Sequence, residues 1–201
     1  GTSSCDLLDH HSIMPILRLR LGDCFRLDRL YGMCMNQGMK RGGLHADFGA
    51  SAITSGLAPG ERYNLPENRM LHGLIVVAWN LADAGPDHGG FCCIPGSHKA
   101  NYLCPQDVRR LEVDLVCVKH FELQAGDALI FTEALTHGTV PWQADFERRL
   151  LRYLYDPSLH TGSAGNFAEI DAELTPLQRL IVQPPYSYQE GMDIATMLEN
   201  Q

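Results

Sequence analysis

Between residues 43 and 156 the chain is a succession of short apolar runs, each broken within a few residues by Gly, Pro or Asp. Leu74–Trp79 is apolar throughout, Phe91–Ile94 stops at Pro95-Gly96-Ser97-His98, and Ala128–Phe131 follows the tight turn Ala125-Gly126-Asp127. Val116–Leu123 alternates apolar with polar residues, and Arg148–Tyr155 is the last strong run. Runs this short suit strands rather than helices, and many in series predict a mainly β sandwich or barrel. The unbroken apolarity of Leu74–Trp79 suits a strand buried on both faces. Asp83–Gly90 is a loop by composition, and Asp127 is a turn residue.

The flanks read differently. Ile13, Leu17 and Leu21 recur at four-residue spacing, and Leu27, Leu30 and Tyr31 continue at helical spacing. Arg41-Gly42-Gly43 then signals a turn directly before His45. Beyond Pro157 the chain is loop-rich, with one modest helix near 171–180 and an interruption at Pro184-Pro185-Tyr186. The expectation is one domain over 1–201: a helical flank (1–40), a β core (41–156) and a loop-rich tail (157–201).

The formal net charge of −8 argues against a nucleic-acid or anionic-membrane surface, which needs clustered Lys and Arg. The longest apolar runs fall far short of the roughly 20 residues of a membrane span. Gly1–Asp6 has neither the basic start nor the apolar centre of a signal peptide. The first residue is Gly rather than Met, which points to a tag remnant or a chain cut from something longer. Seven cysteines (Cys5, Cys24, Cys34, Cys92, Cys93, Cys104, Cys117) form no C-x-x-C pair and no regular framework. They read as reduced thiols of a cytoplasmic protein. The sequence leaves the oligomeric state open.

Chemistry concentrates in His45-Ala46-Asp47, with His137 and Arg148 far downstream. On an extended segment, side chains two residues apart share a face. Two imidazoles and a carboxylate on one side of a metal leave the other side open, the facial triad of non-haem Fe(II) oxygenases. None of the three is a soft thiolate, which suits Fe(II). Arg148, eleven residues after His137, can clamp a dicarboxylate through its planar fork. Arg149 faces the opposite side of the strand and reads as an outward charge, whereas Arg152 shares the face of Arg148.

Several segments together resemble the phytanoyl-CoA dioxygenase family of Fe(II)/2-oxoglutarate oxygenases. They are Gly43–Asp47, Val77–Leu81, Gly89–Lys99, Ala125–Phe131, Thr136–Gly138 and Arg148–Tyr153, with Leu174-Thr175-Pro176 and Pro184–Tyr186 in the tail. The likeness runs over roughly residues 10 to 190, in the family's order and near its spacings. It implies a double-stranded β-helix core (jelly-roll, cupin-like) over 41–156 with flanking N-terminal helices. His45, Asp47 and His137 match the iron ligands. Arg148 matches the residue that binds the distal carboxylate of 2-oxoglutarate, Thr139 a hydroxyl partner of that carboxylate, and Trp79 a position lining the cosubstrate pocket. The implied cofactors are Fe(II), 2-oxoglutarate as cosubstrate, and O₂. The implied reaction is hydroxylation of a C–H bond of a small-molecule metabolite, with release of succinate and CO₂. Halogenating relatives have a small residue at the position of Asp47, so its presence favours hydroxylation or desaturation.

The chain departs from the family in two ways. Members carry several dozen more residues before this start, and Ala46 stands where a polar residue is common. The first departure keeps a rival reading in view: a non-catalytic or truncated metal-binding jelly-roll protein of the same family. A cupin-type isomerase or hydrolase accounts for the metal ligands but not for Arg148. Among the other candidates, Met33, Met35 and Met39 are read as core packing. The Pro95–His98 turn is expected to shape the loop near the site, and Tyr63 is a candidate substrate contact. The remaining histidines, His72 and His160 among them, are read as structural or solvated. No compact basic cluster suits the phosphates of a CoA ester, so a free small molecule is the favoured substrate.

Overall fold

Turn residues cut the middle of the chain into strands that pair in two four-stranded sheets. The computed structural model describes residues 3–39, 42–49, 74–112, 116–157, 167–183 and 194–199. Tyr63, His72, His160 and Pro184–Tyr186 therefore lie outside the described residues. The strands are β1 (Arg26–Met35), β2 (Gly42–His45), β3 (Ile75–Asn80), β4 (Gly90–Cys93), β5 (Lys119–His120), β6 (Ala128–Thr132), β7 (His137–Val140) and β8 (Arg148–Asp156). One sheet has the order β1-β8-β3-β6 and the other β2-β7-β4-β5. Except for the step from β4 to β5, each strand lies in the sheet opposite its predecessor, so the chain winds back and forth between them. The mapped pairings β3–β6, β2–β7, β4–β7 and β4–β5 are antiparallel.

Four of the expected strands form close to where the sequence places them. All six residues of β3 are buried, as its unbroken apolarity requires. Two expectations are corrected. Leu27, Leu30 and Tyr31 lie on β1, not on a continuing helix. Of Val116–Leu123, only Lys119 and His120 form a strand, pairing with Cys93 and Cys92.

Two compact units divide the chain, residues 1–31 with 153–201 and residues 32–152. In the first, α1 (Ser3–Asp6) and α2 (Met14–Leu21) precede β1, and α4 (Pro176–Val182) and α5 (Ile194–Glu199) follow β8. Ile13 and Leu17 are buried as their spacing predicts. Tyr153 and Tyr155 donate their hydroxyls to the carbonyls of Ser4 and Leu8. Thr175 and Gln178 form a reciprocal capping box at the start of α4, and the Gln178 amide also bonds Cys5 and Asp9. The second unit contains β2 to β7, the adjoining parts of β1 and β8, and the short α3 (Gln106–Arg109). Met35, Ala84, Trp142 and Ala144 form a buried cluster there. All seven cysteines are free. Among the described residues no helix is long and apolar enough to cross a membrane.

Candidate metal centre and its cavity

Antiparallel pairing brings residues separated by about ninety positions into one place. β2 and β7 pair with Gly42 opposite Thr139 and His45 opposite His137, so β2 carries one extra residue between these points. Such a bulge re-aims side chains locally, and here it sets the two histidines side by side, ring centroids 4.7 Å apart. Gly138 makes the approach possible. A Cβ on it would lie 3.0 Å from the carbonyl oxygens of both Gly42 and Gly43.

Asp47 reaches the site by a different route from the one its spacing suggested. The strand ends at His45, and Asp47 sits in a bend held by its N–H donating to the Glu133 carbonyl at 2.9 Å. Its carboxylate nonetheless faces both rings: Oδ1 is 3.8 Å from His45 Nε2 and Oδ2 is 3.8 Å from His137 Nε2. One ligand atom from each residue falls within 4.8 Å of the others, close enough for one cation with bonds of about 2 Å.

The second ring nitrogens fix the tautomers. His45 Nδ1 donates to the Gly43 carbonyl at 2.9 Å and His137 Nδ1 to the Leu135 carbonyl at 2.8 Å. With the proton on Nδ1, each Nε2 presents a lone pair towards Asp47, the arrangement a metal requires. Burial pushes the His137 pKa down to about 4 against the pull of the Leu135 carbonyl, and the nearby charges of His45 and Arg152 lower it further. The ring is therefore neutral at physiological pH. His137 is also held from outside its strand. Ser97 of the Pro95–His98 turn accepts from the Thr136 N–H at 2.8 Å, and Ile94 N–H donates to the Thr136 carbonyl at 2.9 Å. The turn thus braces the residue before His137.

His45 and His137 border a cavity of about 120 Å³ lined by strands of both sheets. Arg148 lines it and is only 4% exposed. Its Nη1 meets the Met35 sulfur at 3.3 Å and its buried Nε has no hydrogen-bond partner. Burial, with the neighbouring Arg152, lowers its pKa to about 10. Gly90 makes room for it, since a Cβ there would lie 3.3 Å from Arg148 Nε. Thr139 also lines the cavity. Arg149 points outward and pairs with Glu147.

Trp79 is buried and is not among the residues that line the cavity. Its neighbours Ala78 and Asn80 do, because alternation along β3 turns 78 and 80 to one face and 79 to the other. Asn80 is 1% exposed, and its Oδ1 is buried without a hydrogen-bond partner. Its Nδ2 is engaged by the carbonyls of Ala78 and Asp127. Sequence reasoning missed Asn80; the signal was a polar residue closing a fully apolar run. Phe91 and Phe131 flank His137, with centroids 6.0 and 4.9 Å from its ring. Met33 lines the cavity, Met35 is core, and Met39 is exposed.

A site of neutral imidazoles, one carboxylate and a buried guanidinium can hold a divalent cation beside an anion. The model of the family described as phytanoyl-CoA dioxygenase (PhyH) matches residues 44–150. Among solved structures the chain is similar to HygX from Streptomyces hygroscopicus with nickel and 2-oxoglutarate bound. That likeness has 22% identity and a TM-score of 0.64, over 76% of this chain and 64% of HygX. The same protein with nickel, 2-oxoglutarate and hygromycin B bound gives 20% identity and a TM-score of 0.63, over the same shares. The non-haem monooxygenase ThoJ, in its apo form, is 19% identical with a TM-score of 0.57, over 80% of this chain and 57% of ThoJ. The chain thus spans about two thirds of HygX or less in these comparisons. No curated protein sequence matches it. Together the sheets and these likenesses give the mainly β, double-stranded β-helix fold that the sequence implied.

Proposed function

The chain belongs to the phytanoyl-CoA dioxygenase family, and on that footing we propose that it is an Fe(II)- and 2-oxoglutarate-dependent oxygenase that hydroxylates a C–H bond of a small molecule. Arg148 is the observation that carries this reading. A guanidinium this buried, with its Nε unpartnered and no ion pair to a carboxylate among the described residues, is costly unless an anion meets it. It opens on the same cavity as the two histidines. A metal site alone leaves that guanidinium without a purpose, which disfavours a purely structural metal or a cupin-type hydrolase.

In this reading His45, Asp47 and His137 hold the iron, and Arg148 takes the distal carboxylate of 2-oxoglutarate with Thr139 as hydroxyl partner. When bound, iron with O₂ and 2-oxoglutarate supplies the oxidising chemistry, releasing succinate and CO₂ as one oxygen atom enters the substrate. The chain's own contribution is placement. The Nδ1 donors lock both rings, the Asp47 N–H bond fixes the carboxylate, and Phe91 and Phe131 exclude water beside His137. Support for a small-molecule substrate comes from HygX, solved with hygromycin B bound. The test is anaerobic loading with Fe(II), then O₂-dependent succinate release from 2-oxoglutarate. Release is expected from the wild type and not from His137→Ala. Neither release nor 2-oxoglutarate binding by calorimetry in the loaded wild type would refute the reading.

A further inference from the structure

We propose that Asn80 positions Arg148 for the cosubstrate: with the distal carboxylate of 2-oxoglutarate bound, Arg148 donates its Nε–H to Asn80 Oδ1. This rests on the iron and 2-oxoglutarate reading above. Two buried polar atoms of opposite kind carry it, the donor Arg148 Nε and the acceptor Asn80 Oδ1. Neither has a hydrogen-bond partner among the described residues, and both side chains line one cavity. They also stand at the same end of it. Val76 is opposite Phe131, which abuts His137, and Asn80 lies four residues further along β3, roughly 13 Å away at the rise of a strand. Arg148 lies against Gly90, whose partner Val140 is three residues past His137 on β7. Strands β3 and β8 are neighbours in one sheet. The Leu81 N–H donates to the Arg149 carbonyl at 2.9 Å, which ties the end of β3 to the start of β8.

The orientation of the Asn80 amide is fixed by its other half. Nδ2 donates to the carbonyls of Ala78 at 3.4 Å and Asp127 at 3.3 Å, and a flip would set Oδ1 against both oxygens. The backbone holds the residue as well: its N–H donates to the Asp127 carbonyl at 2.9 Å, and its carbonyl accepts from the Gly126 N–H at 2.8 Å. Oδ1 is thus an acceptor held in place, and it calls for a donor. The distal carboxylate cannot be that donor, because an ionised carboxylate only accepts. Thr139, whose hydroxyl can donate, stands in the other sheet. Arg148 stands on the neighbouring strand, and its Nη1 meets the Met35 sulfur, a weak acceptor that an anion readily replaces. A guanidinium that gives both Nη groups to a carboxylate has its Nε–H left over. Asn80 Oδ1 takes that hydrogen and stops the fork from turning about its stem, so the carboxylate meets a preset clamp.

The test uses the full chain with ¹⁵N-labelled arginine, loaded with diamagnetic Zn(II). Binding of 2-oxoglutarate is measured by calorimetry and the Arg148 Nε–H by NMR, its signal identified by its loss in Arg148→Lys. On saturation with 2-oxoglutarate the wild-type Nε–H should shift downfield, exchange more slowly with water and show a nuclear Overhauser effect to the Asn80 side chain. Asn80→Leu should weaken 2-oxoglutarate about tenfold, the size of one charge-assisted hydrogen bond, and change Zn(II) affinity by less than about twofold. In the Arg148→Lys background, which has no Nε–H, the same substitution should weaken 2-oxoglutarate by less than about twofold. Equal losses in the two backgrounds would make Asn80 a structural residue and overturn the proposal. So would a saturated wild type without the Overhauser effect, a result that stands even if Asn80→Leu fails to fold. Failure of the wild type to bind 2-oxoglutarate at all would overturn the oxygenase reading and this proposal with it.

Discussion

Replacing Arg148 by Met keeps much of the length of the side chain and removes its charge. In the cavity that charge is held at 4% exposure, and its pKa is lowered to about 10. The fall from the ordinary guanidinium value, at 1.4 kcal/mol per tenfold, amounts to roughly 3 kcal/mol for holding the cation out of water and beside Arg152. A Met side chain recovers this and fills the volume of the arginine stem, but it gives up the contact with the Met35 sulfur. The expected gain for the ligand-free protein is about 1–3 kcal/mol, or a rise of about 2–10 °C in unfolding temperature for a chain of this size. Thermal unfolding in EDTA, followed by circular dichroism, measures it. Calorimetry on the nickel-loaded variant should show 2-oxoglutarate binding weakened at least about 100-fold. A variant that unfolds earlier than the wild type, or that binds 2-oxoglutarate unchanged, would refute the reasoning. The first result would mean that the guanidinium is structural, the second that the anion sits elsewhere.

Two further outcomes follow from the site. His137 has its pKa near 4 in the folded protein and near 6.5 when unfolded. Between those values the unfolded chain binds more protons, so acidification destabilises the metal-free protein by about 3 kcal/mol across the window and little further below it. Denaturant titrations from pH 7 to 4 should show this slope in the wild type and not in His137→Gln; equal slopes would assign the effect to other groups. Gly138→Ala places a Cβ 3.0 Å from two β2 carbonyl oxygens. It should cost about 1–3 kcal/mol and weaken nickel binding about tenfold, read by denaturation and metal calorimetry, while unchanged nickel affinity would show that the bulge tolerates the methyl group.

Strands with a strong apolar run, β3 and β8 among them, were legible in the sequence, whereas β1 and β5 were not. β3 and the start of β8 have neighbours on both sides and apolar patterns to match. β1 is an edge strand, and its middle, from Arg29 to Gly32, is exposed. With little to bury there, its apolar residues show no period of two, and Leu27, Leu30 and Tyr31 mimic helical spacing by accident. β5 is an edge of the other sheet, and an alternating stretch of eight residues pairs over only two. The geometry of the site divides in the same way. The structure brings together His45, Asp47 and His137, the three residues whose types suit metal ligation, and sets Arg148 on the same cavity as the two histidines. Face parity in a strand buried on both sides is invisible to composition, so residue types alone do not say that Ala78 and Asn80 line the cavity. The bulge in β2 and the brace from Ser97 depend on backbone geometry that residue identity does not encode.

Strand β8 acts as a reading frame. Its cavity-facing residues Arg148, Leu150 and Arg152 occupy every second position, and the intervening Arg149 is turned outward to Glu147. A single inserted or deleted residue upstream in the strand would exchange the two sets at once. A different arginine would then stand in the cavity, opposite a Gly90 cleared for Arg148 alone. Point substitutions can tune such a site one group at a time, but changes of length can only erase it. In this chain, changes of length are therefore tolerable in the loops outside β8 and not within it.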